Sequence, residues 1–255
     1  MSKKLRWALI ILFLTIAVIS GGVTVHKIIS YEQGAENYEE AEQLAGIVVT
    51  EPEEEEEEEK NPLPQINAEN LTNLNLAALQ EVNSEVLGWI LIPGTPISYP
   101  LMDGTDNEYY LNRTWDREWN WMGAIFLEKL SNPNFTDFNT IIYGHNVRNG
   151  HMFSELRNYT EQSYYNGAPV IYIATEDGIA RYDIFAAAEV STESSAFWLD
   201  VENENNRQTF IDQALEASQI ETGIVPNIDD KILTLSTCTG NGHATRWVVQ
   251  AVLAD

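Results

Sequence analysis

Cys238 is the only cysteine among 255 residues, and it closes the run Thr234-Leu235-Ser236-Thr237. A lone thiol reads in two ways. It is a small buried hydrophobe, or it is a nucleophile where a neighbouring cation or base lets it work as its thiolate. Arg246 opens the next extended run. A guanidinium keeps its proton at neutral pH and so is no base; its fork of donors suits a substrate carbonyl or an oxyanion, and suits an ion pair with a carboxylate equally well. The base has to come from one of four histidines. His26 lies against an apolar stretch, and His151 and His243 have no supporting pattern. His145 sits between Gly144 and Asn146, just past an extended run, where a barrel rim exposes side chains. An isolated histidine is more often structural than catalytic, but beside a nucleophile it becomes a proton carrier. Brought together, His145, Cys238 and Arg246 would make a site for thiol attack on a carbonyl, with a base beside the thiol and donors for the oxyanion.

The elements that must position these three are mostly strands. Runs of β-branched and aromatic residues predict strands at 89–92, 97–102, 123–127, 140–143, 169–174, 178–189, 231–237 and 246–253. Turn residues such as Glu176-Asp177-Gly178 separate them. Short helices are expected at 74–82, 107–111, 151–157 and 161–166. The one clear amphipathic helix covers 203–218, with Phe210, Ile211, Ala214 and Leu215 on one face. The fold class is therefore mainly β: a closed or nearly closed eight-stranded barrel with inserted helices. Trp115, Trp119 and Trp121 crowd one loop, which is expected to bury part of itself, with a substrate wall as the second reading. No glycine-rich phosphate loop or metal-ligand motif is evident, so no cofactor and no metal are expected.

The N-terminal 70 residues have a different character. Lys3, Lys4 and Arg6 precede residues 7–25, which carry no charge. As a helix those residues cover about 28 Å, close to the hydrocarbon thickness of a bilayer. No small-residue cleavage site follows, so the segment reads as an uncleaved signal-anchor. The basic flank places residues 1–6 in the cytoplasm and the remainder outside it. Residues 26–70 read as a stalk helix with a weak stripe at Tyr38, Ala41, Leu44 and Ala45, then a linker containing the acidic run 53–59. The catalytic domain is expected at 71–255, where 25 acidic face 9 basic side chains within a total formal charge of −25. Such a surface repels nucleic acid.

The paired motifs carry a resemblance. Thr234 to Cys238 with Arg246, Ile142-Tyr143-Gly144-His145-Asn146, Met152-Phe153, Gly88-Trp89-Ile90, Thr95 to Pro100, Asp106-Asn107 and Tyr110-Leu111 resemble the signatures of class B sortases. That resemblance implies a sortase-type barrel and a membrane-anchored cysteine transpeptidase of Gram-positive cell surfaces. It implies Cys238 as the nucleophile on the threonine carbonyl of a C-terminal sorting signal of the Asn-Pro-x-Thr kind. His145 would serve the leaving and incoming amines, and Arg246 the carbonyl or oxyanion. The implied partners are sorting-signal-bearing surface proteins or pilins, with a peptidoglycan-precursor amine or a pilin lysine as acceptor. Gly240 stands where some members carry an acidic residue two after the cysteine. An L,D-transpeptidase-like enzyme would have histidine and glycine directly before the cysteine, where this chain has Ser236-Thr237. Papain-like enzymes place the cysteine before the histidine, the reverse of the order here. The alternative of another class is a catalytically inactive, membrane-tethered binding domain on the same barrel.

Overall fold

Eight strands follow the eight predicted runs in order. They are β1 (Val86–Leu91), β2 (Ser98–Met102), β3 (Ile125–Leu127), β4 (Asn139–Tyr143), β5 (Val170–Thr175), β6 (Gly178–Ser191), β7 (Ile232–Cys238) and β8 (Thr245–Leu253). The computed structural model describes residues 2–47, 68–199, 201–242 and 244–254. The acidic linker expected before residue 68 and His243 thus lie outside the described residues. The strands close into a barrel in the order β1-β2-β3-β4-β7-β8-β6-β5. The pairs β2–β3 and β4–β7 are parallel, and the rest are antiparallel. Closure removes the unpaired edges that an open sheet of this apolar content would expose.

Two packing layers fix the barrel. Its main core includes Trp89, Ile90, Leu101, Ile125, Ile142 and Leu235, all buried. On the outer face the amphipathic helix lies over β6, running Glu204–Ala217 after α1 (Lys3–Leu44), α2 (Leu76–Val82) and α3 (Gln162–Gly167), and so α4. The side chain of Asn203 caps it by accepting from Asn205 N at 2.8 Å. Phe210, Ile211 and Ala214 bury against Phe138, Phe185 and Ile232, the face that the 3.6-residue period predicts. Because residues of β7 are covered on both sides, its burial is continuous up to Thr237.

The N-terminal half departs from expectation. Residues 3–44 form one unbroken helix, and its far end is core rather than stalk: Tyr38, Ala41 and Ala45 are buried in the main cluster. A weak stripe suffices because the contact is keyed by polar bonds as well as apolar area. Tyr38 donates from its hydroxyl to Gly123 O at 2.6 Å, and Asn120 Nδ2 donates to Ser30 O at 2.8 Å. The apolar first part of α1 is long and hydrophobic enough to cross a membrane. Among the loop tryptophans, Trp115 is buried as expected, whereas Trp119 and Trp121 are exposed and stand outside the cleft that Cys238 lines. The short helices predicted at 107–111 and 151–157 are 3-10 turns, Tyr109–Asn112 and Ser154–Thr160.

Candidate active site

The parallel pairing of β4 and β7 runs in register from Asn139↔Ile232 to Tyr143↔Ser236. His145 and Cys238 each lie two residues beyond that last pair, so both leave the same rim on neighbouring strands. β8 returns antiparallel, and Arg246 is the direct cross-strand partner of Cys238. Direct partners hold their Cβ atoms about 4.5–5.5 Å apart on one face of the sheet. His145, Cys238 and Arg246 accordingly line one cleft of about 380 Å³. Cys238 is half-buried and forms no disulfide. Side-chain bonds tie the two strand ends together: Thr237 Oγ1 donates to Gly144 O at 2.7 Å, and Asn146 Nδ2 donates to Cys238 O at 2.7 Å.

The imidazole of His145 is oriented by backbone. Its Nε2 lies 2.6 Å from the carbonyl oxygen of Leu111. A carbonyl only accepts, so Nε2 carries the hydrogen and Nδ1 is the nitrogen left to take or give a proton. Two glycines make room for this ring. A Cβ on Gly144 would strike Ile125 Cδ1 and the Phe153 ring, which pack over the chain just before His145. Gly123 has φ +63°, and a Cβ there would stand 2.8 Å from His145 Cδ2. The loop after His145 folds back as Phe153 N donates to His145 O at 3.0 Å.

The walls of the cleft come from β4 and three further segments, and sequence reasoning assigned no role to most of these residues. Asn107 and Leu111 stand on one side, Phe126 and Tyr143 on the floor strands, and Thr192 and Phe197 on the segment after β6. Asn107 is held by Glu128, whose Oε1 accepts from Asn107 Nδ2 at 2.6 Å. Phe197 ends a 3-10 turn (Ser195–Phe197) that is pinned from below. Buried Asn139 donates to Ala196 O at 3.1 Å and Trp198 O at 2.9 Å, while its Oδ1 accepts from Thr234 at 2.7 Å. Nothing local in the sequence announces Thr192 or Phe197: that tertiary bond set places Phe197, and Thr192 is held by its N donating to Ala244 O at 3.1 Å.

Ser236 is the residue whose chemistry is unspent. It is 1% exposed, its Oγ has no hydrogen-bond partner, and it lines the cleft. Two residues before Cys238, it points to the same face of β7. Electrostatics in the cleft are set by a few groups. Burial pushes the Tyr143 phenol up to about 12, Glu128 adds to that shift, and the Arg246 guanidinium opposes it. Arg246 therefore acts on the cleft floor from across β7. Its Nη1 also donates to Thr245 O at 2.8 Å. Of the other histidines, His151 meets Tyr99 rather than the cleft, and His26 stacks on Trp119. Among the described residues no group of three or more His, Cys, Asp or Glu side chains is arranged to hold a metal ion.

A closed barrel with a thiol, an imidazole and a guanidinium along one rim cleft has the form of a cysteine-dependent acyl-transfer enzyme. Comparison with known proteins is more specific. The pattern of the sortase domain matches residues 90–254. The chain is 30% identical over 228 residues to sortase B of Staphylococcus aureus (strain NCTC 8325 / PS 47), across 89% of this chain and 87% of that protein. It is 31% identical over 175 residues to sortase B of Listeria monocytogenes, across 66% and 70%. Its fold matches a Staphylococcus aureus sortase B–substrate complex with a TM-score of 0.74 at 27% identity, across 89% of this chain and 99% of that one. The chain belongs to the sortase family, in class B, and is a cysteine transpeptidase.

Proposed function

We propose that this transpeptidase cleaves a C-terminal sorting signal of the Asn-Pro-x-Thr type after its threonine and transfers the protein to an amine. The observation that carries the proposal is the shared cleft of Cys238, His145 and Arg246 at adjacent strand ends. In this reading the Cys238 thiol passes its proton to His145 Nδ1, Sγ attacks the threonine carbonyl carbon, and the electron pair moves to the carbonyl oxygen. Arg246 meets that oxyanion with its fork of donors. The tetrahedral adduct collapses, the C–N bond after threonine breaks, and the leaving nitrogen takes a proton from His145. Because Nε2–H is committed to the Leu111 carbonyl, that proton comes from Nδ1. A thioester remains on Cys238. An incoming amine gives a proton to the same nitrogen as it attacks, and the thiol is released. The Ser236 hydroxyl, unpartnered beside the nucleophile, takes up a backbone group of the bound peptide.

The acceptor in this proposal is an amine of a peptidoglycan precursor or a lysine of a pilin, both presented outside the cell. The apolar part of α1 anchors the enzyme, with residues 1–6 in the cytoplasm and the domain from about residue 71 on the outer side. A panel of labelled peptides tests the substrate assignment. Purified enzyme should cleave Asn-Pro-x-Thr peptides between threonine and the next residue, faster with hydroxylamine present. Equal or better turnover of peptides lacking that motif would remove the assignment, and no cleavage of any peptide would remove the proposed reaction.

A further inference from the structure

The two exposed tryptophans have no task in the barrel. Trp119 is 47% and Trp121 37% exposed, and their rings pack edge to face at 5.0 Å. Both touch α1 at one place. Trp119 stacks on His26 with centroids 6.2 Å apart, and Lys27 Nζ lies 4.4 Å over the Trp121 ring. His26 and Lys27 are the first two residues after the uncharged stretch 7–25. The loop is keyed to the helix over the next three turns. Asn120 donates to Ser30 O, Trp121 N donates to Ser30 Oγ at 3.3 Å, and Trp115 Nε1 donates to Asn37 O at 3.2 Å. Gly34 permits the close approach, since a Cβ there would stand 3.0 Å from Asn120 Oδ1.

We propose that residues 115–122 form a collar that seats the barrel on the membrane, with Trp119 and Trp121 entering the headgroup boundary of the outer leaflet beside His26 and Lys27. The proposal rests on residues 7–25 spanning the bilayer. Indole is amphipathic and settles at that boundary, with an apolar body for the acyl side and an N–H for the wet side. Trp7, 66% exposed at the other end of the span, is placed for the inner boundary. The collar makes α1 a rigid post instead of a loose tether. Tyr38 lies thirteen residues past Val25, about 20 Å along a helix, and its bond to Gly123 O sets the chain that packs on the His145 ring. The cleft is thereby held at a fixed height above the lipid.

Depth-dependent fluorescence quenching tests this on the full chain carrying Trp7→Phe, reconstituted in phosphatidylcholine vesicles. Lipids brominated near the glycerol end of their chains should quench its emission more than lipids brominated near the chain ends. Adding Trp119→Phe and Trp121→Phe should abolish most of that shallow quenching without lowering the thermal midpoint. Equal shallow quenching with and without the two tryptophans, in protein that resists alkaline extraction, would overturn the collar alone. Release of the chain from vesicles by alkali would overturn the membrane span and the collar with it.

Discussion

At the scale of single residues, the proposed reaction divides its work among Cys238, Arg246 and Ser236 by charge, geometry and hydrogen bonding. Arg246 faces Cys238 across the β7–β8 ladder, so its proposed service is a directed pair of donors and not charge alone. Arg246→Lys keeps the charge and loses the fork. Loss of such a donor set costs about 10²–10³-fold in kcat, and steady-state kinetics should show that fall with KM little changed; a change confined to KM would assign Arg246 to ground-state binding. Ser236 makes the opposite prediction. Its buried hydroxyl has no partner in the free protein, so Ser236→Ala should leave unfolding free energy unchanged within about 0.5 kcal/mol or raise it. The same variant should raise KM for peptide. A destabilised Ser236→Ala protein with normal KM would show that the hydroxyl serves the fold.

At the scale of elements, the site is made by register. A parallel pair β4–β7 and an antiparallel pair β7–β8 bring positions 145, 238 and 246 to one rim, and no helix is needed to do so. The strands were legible in the sequence because branched and aromatic runs fit a sheet buried on both faces, and α4 was legible because its period is 3.6. What joins them was not. Asn139 reads as the polar start of a strand, yet it ties the turn bearing Phe197 to Thr234 in the barrel core. Asn139→Ala removes the donor to one buried and one part-buried carbonyl and the acceptor of the Thr234 hydroxyl, which together should cost about 3 kcal/mol of stability, read from denaturant midpoints. Loosening of the Phe197 wall should raise KM as well. The Leu111 carbonyl escaped sequence reasoning for another reason: a backbone acceptor has no residue type. The core face of α1 escaped because its contact depends on Ser30, Asn37 and Tyr38 meeting a distant loop.

At the scale of the molecule, the chain is a barrel fastened to a helix whose first part is apolar and long enough to cross a membrane. Titration reports on that joint. Burial pulls the His151 imidazole below its ordinary value, with Glu39 on α1 opposing the shift. A depressed folded-state histidine leaves the unfolded chain holding more protons, so stability is full above about pH 6.5 and lost as pH falls below it. Glu42, pushed up to about 7 by burial, works in the opposite sense between pH 4.5 and 7. The measure is therefore a difference: His151→Gln should gain on the parent protein in thermal midpoint as pH drops from 7.5 to 5.5. Parallel curves would mean that His151 takes up its proton alike in the folded and unfolded chain, against the shift by burial. The central claim is that Cys238 carries the acyl group between donor and acceptor, and trapping tests it most directly. Enzyme mixed with a sorting-signal peptide and no acceptor amine should gain the mass of the peptide up to its threonine, located on Cys238 and discharged by hydroxylamine. The adduct should be absent in Cys238→Ala, with turnover lost. An adduct on another residue, or turnover that survives Cys238→Ala, would contradict it.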